Sequence, residues 1–208
     1  MTKKVGIIIE TPKDSGDQKV FAWLIEQYCK NICVIFIGNR NKNDLFNDSP
    51  EQCVGLFEFD NCDEVLIIYD LKPRFDTKST RANINFQNEL IAKLQSKRLD
   101  MQKITLICIK QMLETWLIAD ENAVRNYKIK KHKLTAAQPY FNGGKKQLYN
   151  PKPKDLIETY LSDYNPTTTA LEIIKQANLN TVGRRCSSLV EFRDFINKNC
   201  TNGQLTKV

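Results

Sequence analysis

The chain has 208 residues, 41% hydrophobic and 26% charged, with a formal net charge of +7 and a pI near 9.0. That balance excludes a mainly disordered chain, and the absence of any run approaching the roughly 18–20 apolar residues of a bilayer span excludes a transmembrane helix. Seven cysteines without a Cys-x-x-Cys pair, with His132 as the only histidine, argue against a structural zinc site.

Residues 3–10 (KKVGIIIE) read as a short buried strand that ends in an acid, Glu10. Its apolar run is too short for an export signal, and the cysteines read as free thiols of a reducing cytoplasm, which makes the expected location cytoplasmic. Turn and cap residues at 14–17 lead into helical periodicity over 20–28. A β-rich run follows at 32–37, closed by Gly38-Asn39. Residues 40–50 are polar and read as irregular, and the Gly55 break leaves 52–59 ambiguous between helix and loop. A third strand spans 64–69 and ends at Asp70, a charged loop with Pro73 covers 71–80, and helical spacing of Ile84, Leu90, Ile91 and Leu94 places a helix over 81–98. The fourth strand, 104–109, feeds with almost no linker into a helix expected to run to about residue 127. On it, Met112, Trp116, Ala119 and Ala123 form an apolar stripe, and Glu114 falls in the first turn. Asp120 lies on another face, suited to a helix or loop contact. Strands that are apolar throughout, alternating with helices, predict a mostly parallel sheet of four strands or slightly more, covered on both faces.

The character changes after residue 127, so residues 1–127 are expected to form an α/β core and 128–208 a basic loop and small helical C-terminal extension packed on it. That extension holds the basic run 128–133 (KIKKHK), a loop over 140–146, and helices over 151–161, 170–177 and 188–197.

In a parallel sheet the strand ends that carry Glu10 and Asp70, and the helix start that carries Glu114, face one edge, where sites in open α/β sheets lie. Converging carboxylates raise one another's pKa unless a cation sits among them. Oxygen-only ligands suit magnesium or manganese, and such an ion serves phosphoryl chemistry by neutralising developing charge and activating water. The alternative is that acids at strand ends and in a first helical turn are ordinary caps and solvated residues.

The same residues carry a resemblance. Glu10, Asp70 and the segment Glu114-Thr-Trp-Leu-Ile-Ala-Asp120 resemble the Toprim-like bacterial families around the OLD-family nucleases and RloB. Within that group they look most like a small family with a Glu-x-Trp-Leu-Leu-Ala-Asp-like segment. Pro151-Lys-Pro-Lys154 and Arg184-Arg-Cys-Ser-Ser-Leu-Val-Glu-Phe192 are similar to its closing segments. The resemblance implies a Toprim-type sheet and a magnesium-dependent nuclease-like site with Glu10, Asp70 and Glu114 as metal and catalytic residues. It also implies an ATPase partner in antiphage defence. Two departures stand out. The Toprim Asp-x-Asp reads here Asp70-Leu-Lys72, and the glycine expected after the strand-one acid is Thr11. Asp76 or Asp63 are then candidates to replace the missing acid, while Lys72 is suited to mimic a metal or grip a phosphate.

Basic residues interleaved with aromatics track a phosphate backbone and stack bases. Lys128, Lys130, Lys131 and Lys133, with Lys145, Lys146, Lys152 and Lys154, bracket Tyr140, Phe141 and Tyr149 and form a candidate DNA- or RNA-binding surface; a solvated lysine-rich face is the alternative. His132 reads as a surface residue of that run. Three functions follow: a metal-dependent nuclease or phosphoryl-transfer protein, a catalytically degenerate interaction protein that binds an ATPase or nucleic acid, and a phosphoacceptor receiver using Asp70 and Lys110. The receiver lacks the expected acid pair after strand one.

Overall fold

The computed structural model describes residues 2–71, 81–134 and 152–201. Four strands, β1 (Lys3–Ile9), β2 (Ile32–Gly38), β3 (Glu64–Asp70) and β4 (Ile104–Ile109), form one parallel sheet in the order β2-β1-β3-β4. The first helices are α1 (Gly16–Tyr28), α2 (Lys42–Glu58) and α3 (Arg81–Ser96). After β4 come α4 (Glu114–Ala119) and α5 (Glu121–His132), then α6 (Pro153–Tyr160), α7 (Thr169–Ile174), α8 (Leu179–Arg185) and α9 (Ser187–Asn199).

The two-residue alternation of a strand divides the core into two layers. Val5, Ile7, Ile9, Leu66, Ile68, Ile107 and Ile109 share a buried cluster with α1, α4 and the C-terminal helices. Ile8, Val65, Ile67, Tyr69 and Ile104 belong to a second cluster with α2 and α3. Each fully buried Ile or Leu contributes about 1.5–3 kcal/mol relative to an exposed one. Gly6, on the α2 side of β1, is where the helix comes closest: a Cβ there would lie 2.5 Å from Leu56 Cδ1. The α/β class expected from the sequence is therefore the class observed. Helices after residue 128 enter the first cluster through Ile157, Ile173, Ile174, Phe192 and Ile196.

Strand order locates the site. The chain leaves β1 for β2 on one side and then crosses to β3 on the other. The crossover helices consequently diverge at the carboxyl ends of β1 and β3, which is the switch point where crevices open in such sheets. Glu10 follows β1 and Asp70 closes β3, on neighbouring strands.

The structure corrects four sequence expectations. Residues 40–50 are not irregular; they form the first half of α2. Asn41 caps it, its side chain accepting the Asp44 N–H at 3.0 Å, and Leu45, Ser49, Cys53 and Leu56 supply a buried face. Pro50 sits inside the helix, and the Ser49 hydroxyl donates to the Leu45 carbonyl one turn back. Replacing this cap, Asn41→Ala, should lower stability by about 1 kcal/mol in urea unfolding, with the slope unchanged; an unaltered midpoint would show that the cap contributes nothing.

Second, the helix after β4 is two helices. Asp120 takes an extended backbone (φ −111°, ψ 97°) and caps α5, accepting the Asn122 N–H at 3.1 Å and the Asn178 N–H at 2.7 Å. A carboxylate with local N–H partners competes with helix continuation, which fits the helix or loop contact expected of it. Third, residues 179–185, unassigned from sequence, form α8 behind an Asn178 cap. Fourth, the cysteines are not all free: Cys29 at the end of α1 is disulfide-bonded to Cys200 after α9, while Cys33, Cys53, Cys62, Cys108 and Cys186 are thiols. Among the described residues no helix is long and apolar enough to cross a membrane.

Candidate functional site

Five chain segments bring ionisable side chains to the carboxyl edge of β1 and β3. Glu10 follows β1, Asp17 lies in the first turn of α1, Lys42 opens α2, Asp70 ends β3 and Glu114 opens α4. Helix starts favour carboxylates there because their unpaired N–H groups carry partial positive charge. Asp70 is in phase with Leu66 and Ile68, so it belongs to the sheet face that α1 and α4 cover.

Direct contacts tie part of this group together. The Asp70 backbone N–H donates to Glu10 Oε2 at 3.0 Å, and Lys42 Nζ lies 3.9 Å from the same oxygen. The Tyr164 hydroxyl donates to Glu114 Oε1 at 3.2 Å. Glu114 is only 9% exposed, and Lys42 only 7%. A solvated first-turn glutamate would show neither that burial nor a tyrosine partner.

Burial sets the charge state. Asp17 is pushed up from 3.8 to about 7, first by desolvation and then by Glu114 and Glu10, against a hydrogen bond from Thr11. Asp70 is raised well above its usual range, by burial first and then by Glu10, Asp17 and Glu114. Glu10 and Glu114 are raised too, chiefly by burial; Lys42 opposes this at Glu10 and the Tyr164 bond at Glu114. Lys42 itself is lowered by burial, against the pull of Glu10 and Asp70. Four acids in one another's field with a single buried lysine form a strongly acidic group whose repulsion a cation would relieve.

The donor chemistry, all carboxylate oxygen, suits a hard divalent ion. The side chains are not gathered around one point, however: among the described residues no three acids, cysteines or histidines lie close enough to hold a metal ion. Glu10, Asp70 and Glu114 thus share an edge and an electrostatic field without converging.

Two members of the group escaped the sequence. Asp17 reads as a helix-capping residue, and Lys42 falls in the stretch taken as irregular. Thr11, standing where the resemblance expects glycine, is the residue that hydrogen-bonds Asp17. Asp63 is no substitute acid: it precedes β3 at the opposite edge and exchanges backbone and side-chain bonds with Lys4. Lys72, Asp76, Lys145, Lys146, Tyr140, Phe141 and Tyr149 lie outside the described residues.

Of the basic run, Lys130, Lys131 and Lys133 are exposed at the end of α5. Lys128 turns inward, donating to the Tyr160 carbonyl at 3.0 Å and lying over its ring. His132 is exposed beside Asp163, 3.7 Å away. Lys152, just before α6, and Lys154, within it, pair with Asp155 and Glu158.

A four-stranded parallel sheet with helices on both faces makes this an α/β domain, with acids at its switch point. Among solved structures the chain is similar to the C-terminal region of the Burkholderia pseudomallei OLD protein, with a TM-score of 0.51. The match covers 94% of this chain and 99% of that one at 14% identity, so the likeness is one of fold. No protein-family model matches the sequence, and no curated protein does.

Proposed function

We propose that the chain is a magnesium- or manganese-dependent nuclease or phosphoryl-transfer protein acting on nucleic acid, with Glu10, Asp70 and Glu114 as metal-holding residues and Asp17 as a fourth acid beside them. The observation that carries this reading is the set of four acids at the switch point, each with its proton affinity raised by burial. A divalent ion bound there would polarise a phosphoryl oxygen and acidify its water. Asp17, near 7, is tuned to hold or release a proton at neutral pH, as a general acid or base requires. Lys42 keeps Glu10 partly neutralised, and Tyr164 orients Glu114. The exposed Lys130, Lys131 and Lys133 supply the positive surface that a polyanionic substrate needs.

The test is cleavage of single- and double-stranded DNA and RNA in magnesium and in manganese. Glu10→Gln and Asp70→Asn are each expected to abolish cleavage; activity that survives both changes sinks the reading.

A second reading has an observation of its own. The acids are not gathered around one point, and Glu10 is already engaged by the Asp70 N–H and Lys42. A catalytically silent relative that docks on an ATPase partner or nucleic acid fits that arrangement, and the same partner would place the chain in antiphage defence. Calorimetry separates the two: magnesium binding that disappears in Glu10→Gln supports the enzyme, whereas no binding together with co-purification of an ATPase supports the docking protein.

A further inference from the structure

A polar cavity lies at the carboxyl end of β4, beside α4. It encloses about 390 Å³ between the β4–α4 connection and the start of α9. That volume falls within the roughly 300–1,000 Å³ typical of small-ligand sites. Its wall carries three cations, Lys110, Arg184 and Arg185, against the one carboxylate Glu191.

The start of α9 opens into this space through Ser187 and Ser188. The helix has 13 residues, its cap residue Cys186 makes no side-chain capping bond, and no acid occupies its first turn. Such a helix start attracts an anion. Arg185 is committed elsewhere, donating to the Ala119 carbonyl at 2.8 Å. Arg184 and Lys110 are exposed cations at the rim.

Gln111 supplies the independent sign of a ligand. It is 9% exposed, lines the cavity, and its Oε1 is buried with no hydrogen-bond partner among the described residues. Its backbone is held at φ 77°, a left-handed conformation uncommon for a residue other than glycine. An acceptor left buried and unpaired is costly unless a ligand brings a donor. Inorganic phosphate would satisfy the cations and the helix start but leave Gln111 unanswered. A nucleotide carries both parts, a phosphate and a sugar or base donor.

We propose that this cavity is a nucleotide pocket, with the phosphomonoester at the start of α9 between Lys110 and Arg184 and a base or sugar donor on Gln111. The choice of nucleotides among phosphate esters rests on the nucleic-acid reading above; the cavity does not depend on the acidic site. The ligand is either a free nucleotide or the phosphorylated end of a chain.

The experiment is calorimetric titration of the full chain in chelator, without divalent ions. The probes are nucleoside 5′-monophosphates, a 5′-phosphorylated dinucleotide, the matching nucleosides and inorganic phosphate. A phosphorylated nucleotide should bind at least about tenfold more tightly than inorganic phosphate, the value of one added hydrogen bond to a buried acceptor. Arg184→Ala, an exposed change, should weaken it about tenfold or more through loss of a charge-assisted bond. Gln111→Glu, similar in shape but anionic, should abolish it while the melting temperature stays close to that of the parent. Tighter binding of the dinucleotide assigns the pocket to chain ends, and equal binding assigns it to free nucleotides. No nucleotide binding, affinity no better than that of inorganic phosphate, or binding unchanged in both variants overturns the proposal. Because the assay contains no metal ion, failure of the nuclease reading leaves this result standing, and the reverse holds as well.

Discussion

Asp17→Asn is expected to stabilise the metal-free chain at pH 8 and to leave it nearly unchanged at pH 4. The sign comes from linkage. An acid whose folded-state pKa exceeds its unfolded value binds its proton more tightly when folded, so stability is full below the unfolded value and is lost as pH rises through the folded one. For Asp17 the window runs from 3.8 to about 7. Each unit is worth about 1.36 kcal/mol, which sets a ceiling on the order of 4 kcal/mol for this one residue. Asparagine keeps the size and the acceptor for Thr11 and removes the charge. At about 2–4 °C per kcal/mol for a chain of this size, the melting temperature at pH 8 should rise by several degrees. Melting curves in chelator at both pH values decide it: an equal shift at the two pH values would mean that charge burial is not the cause. Asp70 and Glu10 are raised in the same direction, so the parent protein should itself lose stability from pH 4 to pH 8.

The second large effect is expected in the core. Trp116→Ala should cost about 3–5 kcal/mol, the usual range for deleting a buried Trp or Phe. Trp116 is fully buried between Phe21, which meets it edge-on at 5.9 Å, and Phe192 at 6.1 Å. Its Nε1–H donates to Ser188 Oγ at 2.9 Å, linking α4 to the start of α9. The loss compares with a total stability of about 5–15 kcal/mol for ordinary domains, so a large part of the fold's margin rests on this ring. Trp116→Phe keeps most of the apolar contact and removes the donor, so it should cost much less. Guanidinium unfolding of both variants tests the assignment, and a loss below about 1 kcal/mol for the alanine form would contradict the packing described.

How much of this could be read from sequence depends on which physical signal each residue left. All four strands were legible because each is a continuous apolar run closed by an acid, a glycine or a lysine. Their order was not, since pairing depends on where the crossover helices dock. The helix over 42–58 was hidden because its exposed face is polar and Pro50 argues against it, while the contacts that hold it, Leu56 over Gly6 among them, are long-range. Glu10, Asp70 and Glu114 were legible as strand and helix ends. Asp17 was not, because a first-turn acid satisfies the helix dipole whether or not anything else faces it. Lys42 needed the correct start of α2. The disulfide left no sequence signal either: two cysteines so far apart in the chain meet only once α9 is packed against α1 and the sheet.

That bond also determines how the molecule bears mechanical load. Cys29 and Cys200 are separated by 171 positions, so the cross-link closes the chain between them into one large ring. Tension applied between a point before Cys29 and a point after Cys200 bypasses the ring through the sulfur bridge. Among the described elements β1 and α1 lie outside the ring, and β2, β3, β4 and every later helix lie in the shielded part. Since β1 is flanked on both sides by β2 and β3, the element that takes the strain is held by backbone hydrogen bonds along both of its edges.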